Sequence, residues 1–209
     1  MGETVRVQVR ENRFGSLREE SYTPVASEGA MGGAAASILE AAAADMRRKT
    51  GLRNPPPVRF VRSTGGAGGL YFPSANQVLV GLEDARAIAL DIWNRHRDYV
   101  RERVEGLLIG SRGSAVDLFT FLWIAVAARI VAHELGHAII AARGNTTGIQ
   151  NEEAAADFIA GELDAIRGKS RELGRLVFEA IGCVGRWCEH PPPEGRAEAY
   201  ERGYTTWVS

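Results

Sequence analysis

Val5, Val7 and Val9 alternate with Arg6, Gln8 and Arg10 in TVRVQVR, the two-residue period of a strand with one buried face. A strand is therefore expected over Thr4–Arg10. The period then changes. GAMGGAAASILEAAAADMRRKTG is alanine-rich, carries its basic residues at the end and stops at Gly51, which predicts a helix from about Gly29 to Lys49. NPPP breaks the chain, and VRFVRS after it reads as a second strand. LYFPSANQVLVG reads as a strand interrupted by a Pro-Ser-Ala-Asn turn or bulge. Proline there suits an edge strand, because it cannot donate to a ladder.

The second half of the chain is helical in pattern. EDARAIALDIWNRHRDYVRERVEGLLIG has acids at its start, apolar residues at helical spacing and Gly110 at its end, predicting a long amphipathic helix over about Glu83–Leu108. A long apolar helix is expected over about Ala115–Ala142. NEEAAADFIAGELDAIRG then opens a helix with Asn151 as N-cap and two acids in the first turn. Another helix is expected over about Ser170–Ile181, and after the break HPPPEG a short closing helix, RAEAYERGY. No internal repeat or linker divides the chain, so residues 1–209 are expected to form one domain.

Composition narrows the function classes. The 209 residues carry a formal net charge of −1 with 45% hydrophobic and 24% charged residues, ordinary for a globular protein. So balanced a charge gives no large field to attract nucleic acid. The opening MGETVRVQVRENRF has no apolar run of signal type, and the expected compartment is the cytoplasm. The most lipid-like run, Leu118–Ala128, is shorter than the roughly 20 apolar residues a membrane span needs, so it reads as buried helix. Cys183 and Cys188 read as free thiols. The glycine-rich TGGAGG at Thr64–Gly69 is followed by no Lys-Ser/Thr and no helix, and reads as a connection rather than a phosphate loop.

The chemistry concentrates in RIVAHELGHAIIAARG, inside the long apolar helix. Residues four apart on a helix lie about 40° apart around the axis, so His133 and His137 can point imidazole nitrogens at one atom. Zn²⁺ takes such ligands in tetrahedral geometry. Glu134 flanks the same face and is placed to accept a proton from water at the metal. Two histidines and a glutamate are costly in an apolar helix unless something binds them. A third histidine six residues after His137 is ruled out, because that position is Arg143. Both cysteines lie downstream, and the best remaining third ligand is a carboxylate of NEEAAAD. Glu153 is preferred, with Glu152 as the capping acid. Asp157, four residues after Glu153, shares its face and can accept the free ring N–H of a zinc-binding histidine.

HELGHAII followed by EAAAD resembles the gluzincin metallopeptidases, in which a glutamate on a following helix completes the His-Glu-x-x-His site. The Glu-x-x-Ala-Asp pattern resembles that of membrane heat-shock and CAAX-type zinc proteases, and the short spacing is closer still to small bacterial neutral zinc metallopeptidases. The transmembrane helices of the former have no counterpart here. The resemblance covers about residues 55–205 and implies an α+β, zincin-like fold. Such a fold is mostly helical, with a small mixed sheet and an edge strand above a two-helix zinc site; residues 1–50 add a strand and a helix to a catalytic core at 51–209. In this comparison LYFPSANQVLV is similar to the substrate-pairing edge strand. HPPPEGRAEAYERGY resembles a C-terminal His…Arg segment that would bring His190 and Arg196 toward the site.

The expected activity is zinc-dependent hydrolysis of peptide bonds in a protein or peptide substrate. His133, His137 and Glu153 would hold the metal, Glu134 would act as general base, and His190, ahead of Arg196, Tyr200 and Tyr71, would steady the oxyanion. The rival reading is a non-catalytic zincin-like module with a structural metal. Against it, a structural site closes its fourth position and has no use for a free general base.

Overall fold

The computed structural model describes residues 4–10, 17–25, 27–109, 117–181 and 192–208. The architecture is mostly helical with two small sheets. Strand β1 (Val5–Arg10) pairs antiparallel with β2 (Leu17–Tyr22). Helices α1 (Ser27–Met31) and α2 (Gly33–Lys49) follow, then β3 (Val58–Val61), β4 (Gly69–Phe72) and β5 (Gln77–Gly81). The rest is α3 (Leu82–Ile109), α4 (Leu118–Arg143), α5 (Glu152–Ile166), α6 (Arg171–Ile181) and α7 (Pro193–Val208).

The second sheet is mixed, in the order β3-β5-β4, with β3 parallel and β4 antiparallel to β5. Its two edges differ. Residues 23–25 bond along β3, with Val25 N donating to Phe60 O and Arg62 N to Thr23 O. No strand among the described residues pairs with the outer edge of β4. One face of this sheet packs on the β1–β2 hairpin through Val5, Val7, Val61, Phe72 and Leu79. The main core, centred on α4, also takes in α2, α3, α5, α6 and Tyr200 of α7.

Helix α4 is the spine. Asp117 caps it by accepting from Thr120 N, and Gly144, at φ 81°, ends it. By length and composition α4 could cross a membrane, which the short apolar run Leu118–Ala128 alone could not. Yet 78% of its most apolar window is buried inside the fold. That burial explains why the stripe is apolar all round.

Three elements depart from the expectations above. Strand β2 has no period-2 signature because the residues facing Val5, Val7 and Val9 are Tyr22, Glu20 and Arg18; pairing with β1, rather than its own pattern, makes it a strand. The first helix is broken at Gly32, whose φ of 84° glycine adopts without strain and residues with a side chain rarely do. Helix α3 departs from helical geometry at His96, and beyond that kink Tyr99 donates to Glu172 of α6. The interrupted strand resolves into the β4–β5 hairpin around Pro73 and Asn76.

The crossing of α4 and α5 is set by a missing side chain. A Cβ at Gly136 would lie 2.7 Å from Ala156 O and 3.0 Å from Ala156 Cα. Alanine there would gain about 1 kcal/mol in helix propensity. That gain is outweighed, because backbone cannot swing aside as a flexible side chain can, and overpacking costs about 1–3 kcal/mol. Gly136→Ala is therefore expected to lower the melting temperature and weaken metal binding together. A rise in melting temperature would show that the two helices are not held in contact here.

Candidate metal centre

Helix α4 projects His133 and His137 toward α5 and Glu134 toward Gly69 of β4, and the Gly136–Ala156 contact brings the first turn of α5 within reach of the histidines. Asn151 caps α5 by accepting from Ala154 N, and Glu152 and Glu153 of the first turn face the histidines. His133 Nε2 and His137 Nε2 lie 3.1 Å apart. Glu153 places Oε2 3.2 Å from His133 Nε2 and Oε1 3.4 Å from His137 Nε2. Ligands of a tetrahedral zinc with bonds of 2.0–2.1 Å stand about 3.3–3.4 Å from one another. The two imidazole nitrogens are therefore spaced close to one edge of such a site, Glu153 turns one carboxylate oxygen to each of them, and together the three residues can hold a metal ion.

The outer nitrogens explain why the inner ones are available. His133 Nδ1 lies 2.7 Å from Asp157 Oδ1, and His137 Nδ1 lies 3.3 Å from Glu152 Oε1. A carboxylate on Nδ1 holds the proton there and turns the Nε2 lone pair inward. Two lone pairs and a carboxylate converging on one point repel each other unless a cation or a proton sits among them. This is the observation that fits the residues to a metal. Glu152 stands in the first turn of α5 behind the Asn151 cap and also reaches His137 from outside.

Asp157 is fully buried and has a second partner. Arg196, 1% exposed, donates from Nε to Asp157 Oδ2 at 2.8 Å and from Nη2 to Oδ1 at 2.7 Å. Burial alone would raise the Asp157 carboxyl, but His133 and Arg196 together hold it below the ordinary range. Phe178 of α6 closes the underside, stacked on Tyr200 and with the Arg196 guanidinium over its ring.

Burial likewise opposes a charge on His133, yet the Asp157 carboxylate and the Glu153 hydrogen bond overcome it and raise its pKa from 6.5 to about 9. Without metal, His133 is then protonated at neutral pH, and a metal must displace that proton. Apparent metal affinity is expected to rise about tenfold per pH unit between roughly pH 7 and 9 and to level off above. Competition with a chromophoric chelator measures it, and a flat profile over that range would contradict the geometry. The metal-free protein itself should lose stability as pH climbs from 6.5 through about 9, because the folded state holds this proton more tightly than the unfolded chain.

The centre opens into a cleft of about 260 Å³. Its walls are Gly69, Leu70 and Tyr71 of β4, with Ile130 and Glu134 of α4 and Ile181 of α6. Glu134 is 6% exposed, and burial, ahead of any neighbouring charge, raises its carboxyl pKa. Gly69 is what lets β4 lie so close. A Cβ there would meet Ile130 Cγ2 at 2.6 Å and Glu134 Oε1 at 2.7 Å.

The other expected site residues divide sharply. Tyr71 lines the cleft, and burial raises its phenol above the usual range. Tyr200 does not reach it: its hydroxyl donates to Asp164 Oδ2 at 3.0 Å inside the core. Arg196 borders the cleft, but it is a buried partner of Asp157 and not a surface residue. His190, Cys183 and Cys188 lie outside the described residues.

A second buried ionic cluster was not anticipated. Arg129 Nε faces Asp164 Oδ2 at 3.2 Å, and Arg167 Nη1 donates to Asp164 Oδ1 at 3.4 Å. The trace of it in the sequence is spacing: Arg129 stands one turn before His133, and Tyr200 one turn after Arg196. No protein-family model, no curated protein and no solved structure matches this chain, so the reading of the centre rests on its own geometry.

Proposed function

We propose that this protein is a zinc-dependent peptidase of zincin-like fold, with His133, His137 and Glu153 holding the metal. The observation that carries the reading is the convergence of His133 Nε2 and His137 Nε2, 3.1 Å apart, with a Glu153 oxygen 3.2 Å from the first and its other oxygen 3.4 Å from the second, beside a buried Glu134 in an open cleft. Bound zinc would supply Lewis-acid polarisation of water and of a carbonyl at neutral pH.

The chain's own residues do the rest. Glu134, one residue beyond His133, accepts a proton from the attacking water and returns it to the leaving amine. Its raised pKa keeps it a better proton carrier near neutrality than an exposed glutamate. The open edge of β4 offers backbone groups to an extended peptide, which supports a polypeptide substrate lying along Gly69–Phe72. Tyr71, on that strand and in the cleft wall, donates its phenolic hydrogen to the developing oxyanion. Arg196 positions His133 through Asp157.

The test is metal content of the purified protein, followed by cleavage of a mixed peptide library with and without chelator. About one zinc per chain and chelator-sensitive cleavage are expected, with turnover reduced and metal content unchanged in Tyr71→Phe. Bound metal with no cleavage of any peptide would instead favour a structural role.

A further inference from the structure

A larger cavity, about 400 Å³, lies apart from the metal cleft between α2, α4, the end of α5 and the start of α6. Its walls are hydrocarbon: Ile38 and Ala42 of α2, Phe121, Ile124 and Ala128 of α4, and Leu173 of α6. Ile38 is 44% exposed at its border. Arg129 and Arg167 line the same space with side chains only 5% exposed, Lys169 joins them, and the Asp164 carboxylate borders it between the two arginines.

The hydrogen-bond inventory leaves this polar side incomplete. Arg129 donates from Nη1 to Ala125 O and from Nη2 to Ser170 O, and its Nε faces Asp164. It also reaches the Tyr200 hydroxyl, so most of its fork is engaged. Arg167 uses Nε on Asp45 and Nη1 on Asp164, and among the described residues nothing takes the two hydrogens of its Nη2. Charge is unbalanced in the same direction. Three cations, Arg129, Arg167 and Lys169, meet two carboxylates, Asp164 and Asp45, and Asp45 is shared with Arg48 and Lys49. Half-burial, then the charge of Arg167, holds the Lys169 amine below the ordinary lysine range, as surplus positive charge would.

Spare guanidinium donors in a low-dielectric wall call for an acceptor that carries negative charge. The hydrocarbon opposite calls for an apolar tail. We propose that this cavity binds a small aliphatic carboxylate, its head on Arg129, Arg167 and Lys169 and its chain along Ile38, Phe121, Ile124 and Leu173. The site is independent of the peptidase reading and stands or falls separately.

Decanoate titrated into the full chain as purified tests it, by calorimetry and by methyl shifts. One-to-one binding is expected, with shifts at Ile38, Ile124 and Leu173. Decanol, which lacks the charge, and butyrate, which lacks the chain, should bind at least tenfold more weakly. Arg167→Gln, which removes spare donors, and Ala42→Trp, which fills the cavity, should each weaken decanoate at least tenfold while metal content stays constant. Absence of binding, or decanol binding as tightly as decanoate, overturns the proposal. So do shifts centred on Ile130 and Ile181, or binding that survives Ala42→Trp and disappears with chelator, since that is a carboxylate on the metal. The wild-type shift map keeps the test decisive if either variant folds poorly.

Discussion

Glu134→Gln is expected to retain the metal and the fold while losing about a thousandfold in kcat/KM on any peptide the parent cleaves. The substitution preserves shape within the cleft wall under Gly69, so His133, His137 and Glu153 keep their mutual distances. It removes only the capacity to take a proton. Stability should hold or rise, for a reason the burial dictates. A carboxyl whose folded pKa is raised is harder to ionise in the native state than in the unfolded chain, so it weakens the fold at pH values above its unfolded pKa of 4.5. A neutral amide lifts that burden at neutral pH. Metal analysis, thermal denaturation and peptide kinetics on the same preparation decide the matter. Undiminished cleavage would remove Glu134 from the chemistry, and loss of metal would make it a ligand instead of a base.

The largest expected effect on stability comes from Asp157→Ala. It strips the buried Arg196 of both its charge-assisted bonds and His133 of its Nδ1 partner in one step. An uncompensated buried charge costs about 3–5 kcal/mol, or about 10 °C in a chain of this size. Loss of the brace on His133 should weaken metal binding by a further factor of about 10–100. These two effects can be separated. Asp157→Leu combined with Arg196→Met removes the orphaned charge with its partner, and should recover most of the stability but none of the metal affinity. Recovery of both would mean that Asp157 serves packing alone. The pH dependence has a definite sign. The Asp157 carboxyl is held below its ordinary range, so its contribution is present above about pH 4 and fades as pH falls through the lowered value. The gap between parent and variant should narrow in acid.

Spacing along the chain carried a large share of this. Valine alternation in β1, the apolar run of α4 and the acids after Asn151 each announced an element, because period and capping are local properties that neighbouring residues can express. The pairing of His133 with His137 was equally local, since one helical turn dictates it. Other features depend on partners far along the chain. Strand β2 shows no pattern of its own, and only its register with β1 makes it a strand. The kink at His96 lies in a stretch whose pattern suits uninterrupted helix, and at Gly32 the Gly-Gly pair permits a break without dictating one.

The sharpest case is the candidate metal centre. Residue types and spacing named the donors, but the distance from Glu153 to the histidines is set where Gly136 lets Ala156 press against α4. The same holds for Arg196 and Tyr200, four residues apart on α7. Both look like candidates for the cleft in one dimension; packing sends one to Asp157 and the other to Asp164. A linear chain can specify which groups sit on one turn of one helix. Which groups meet across three helices is determined by how closely their backbones can approach, and that is a property of the packed core.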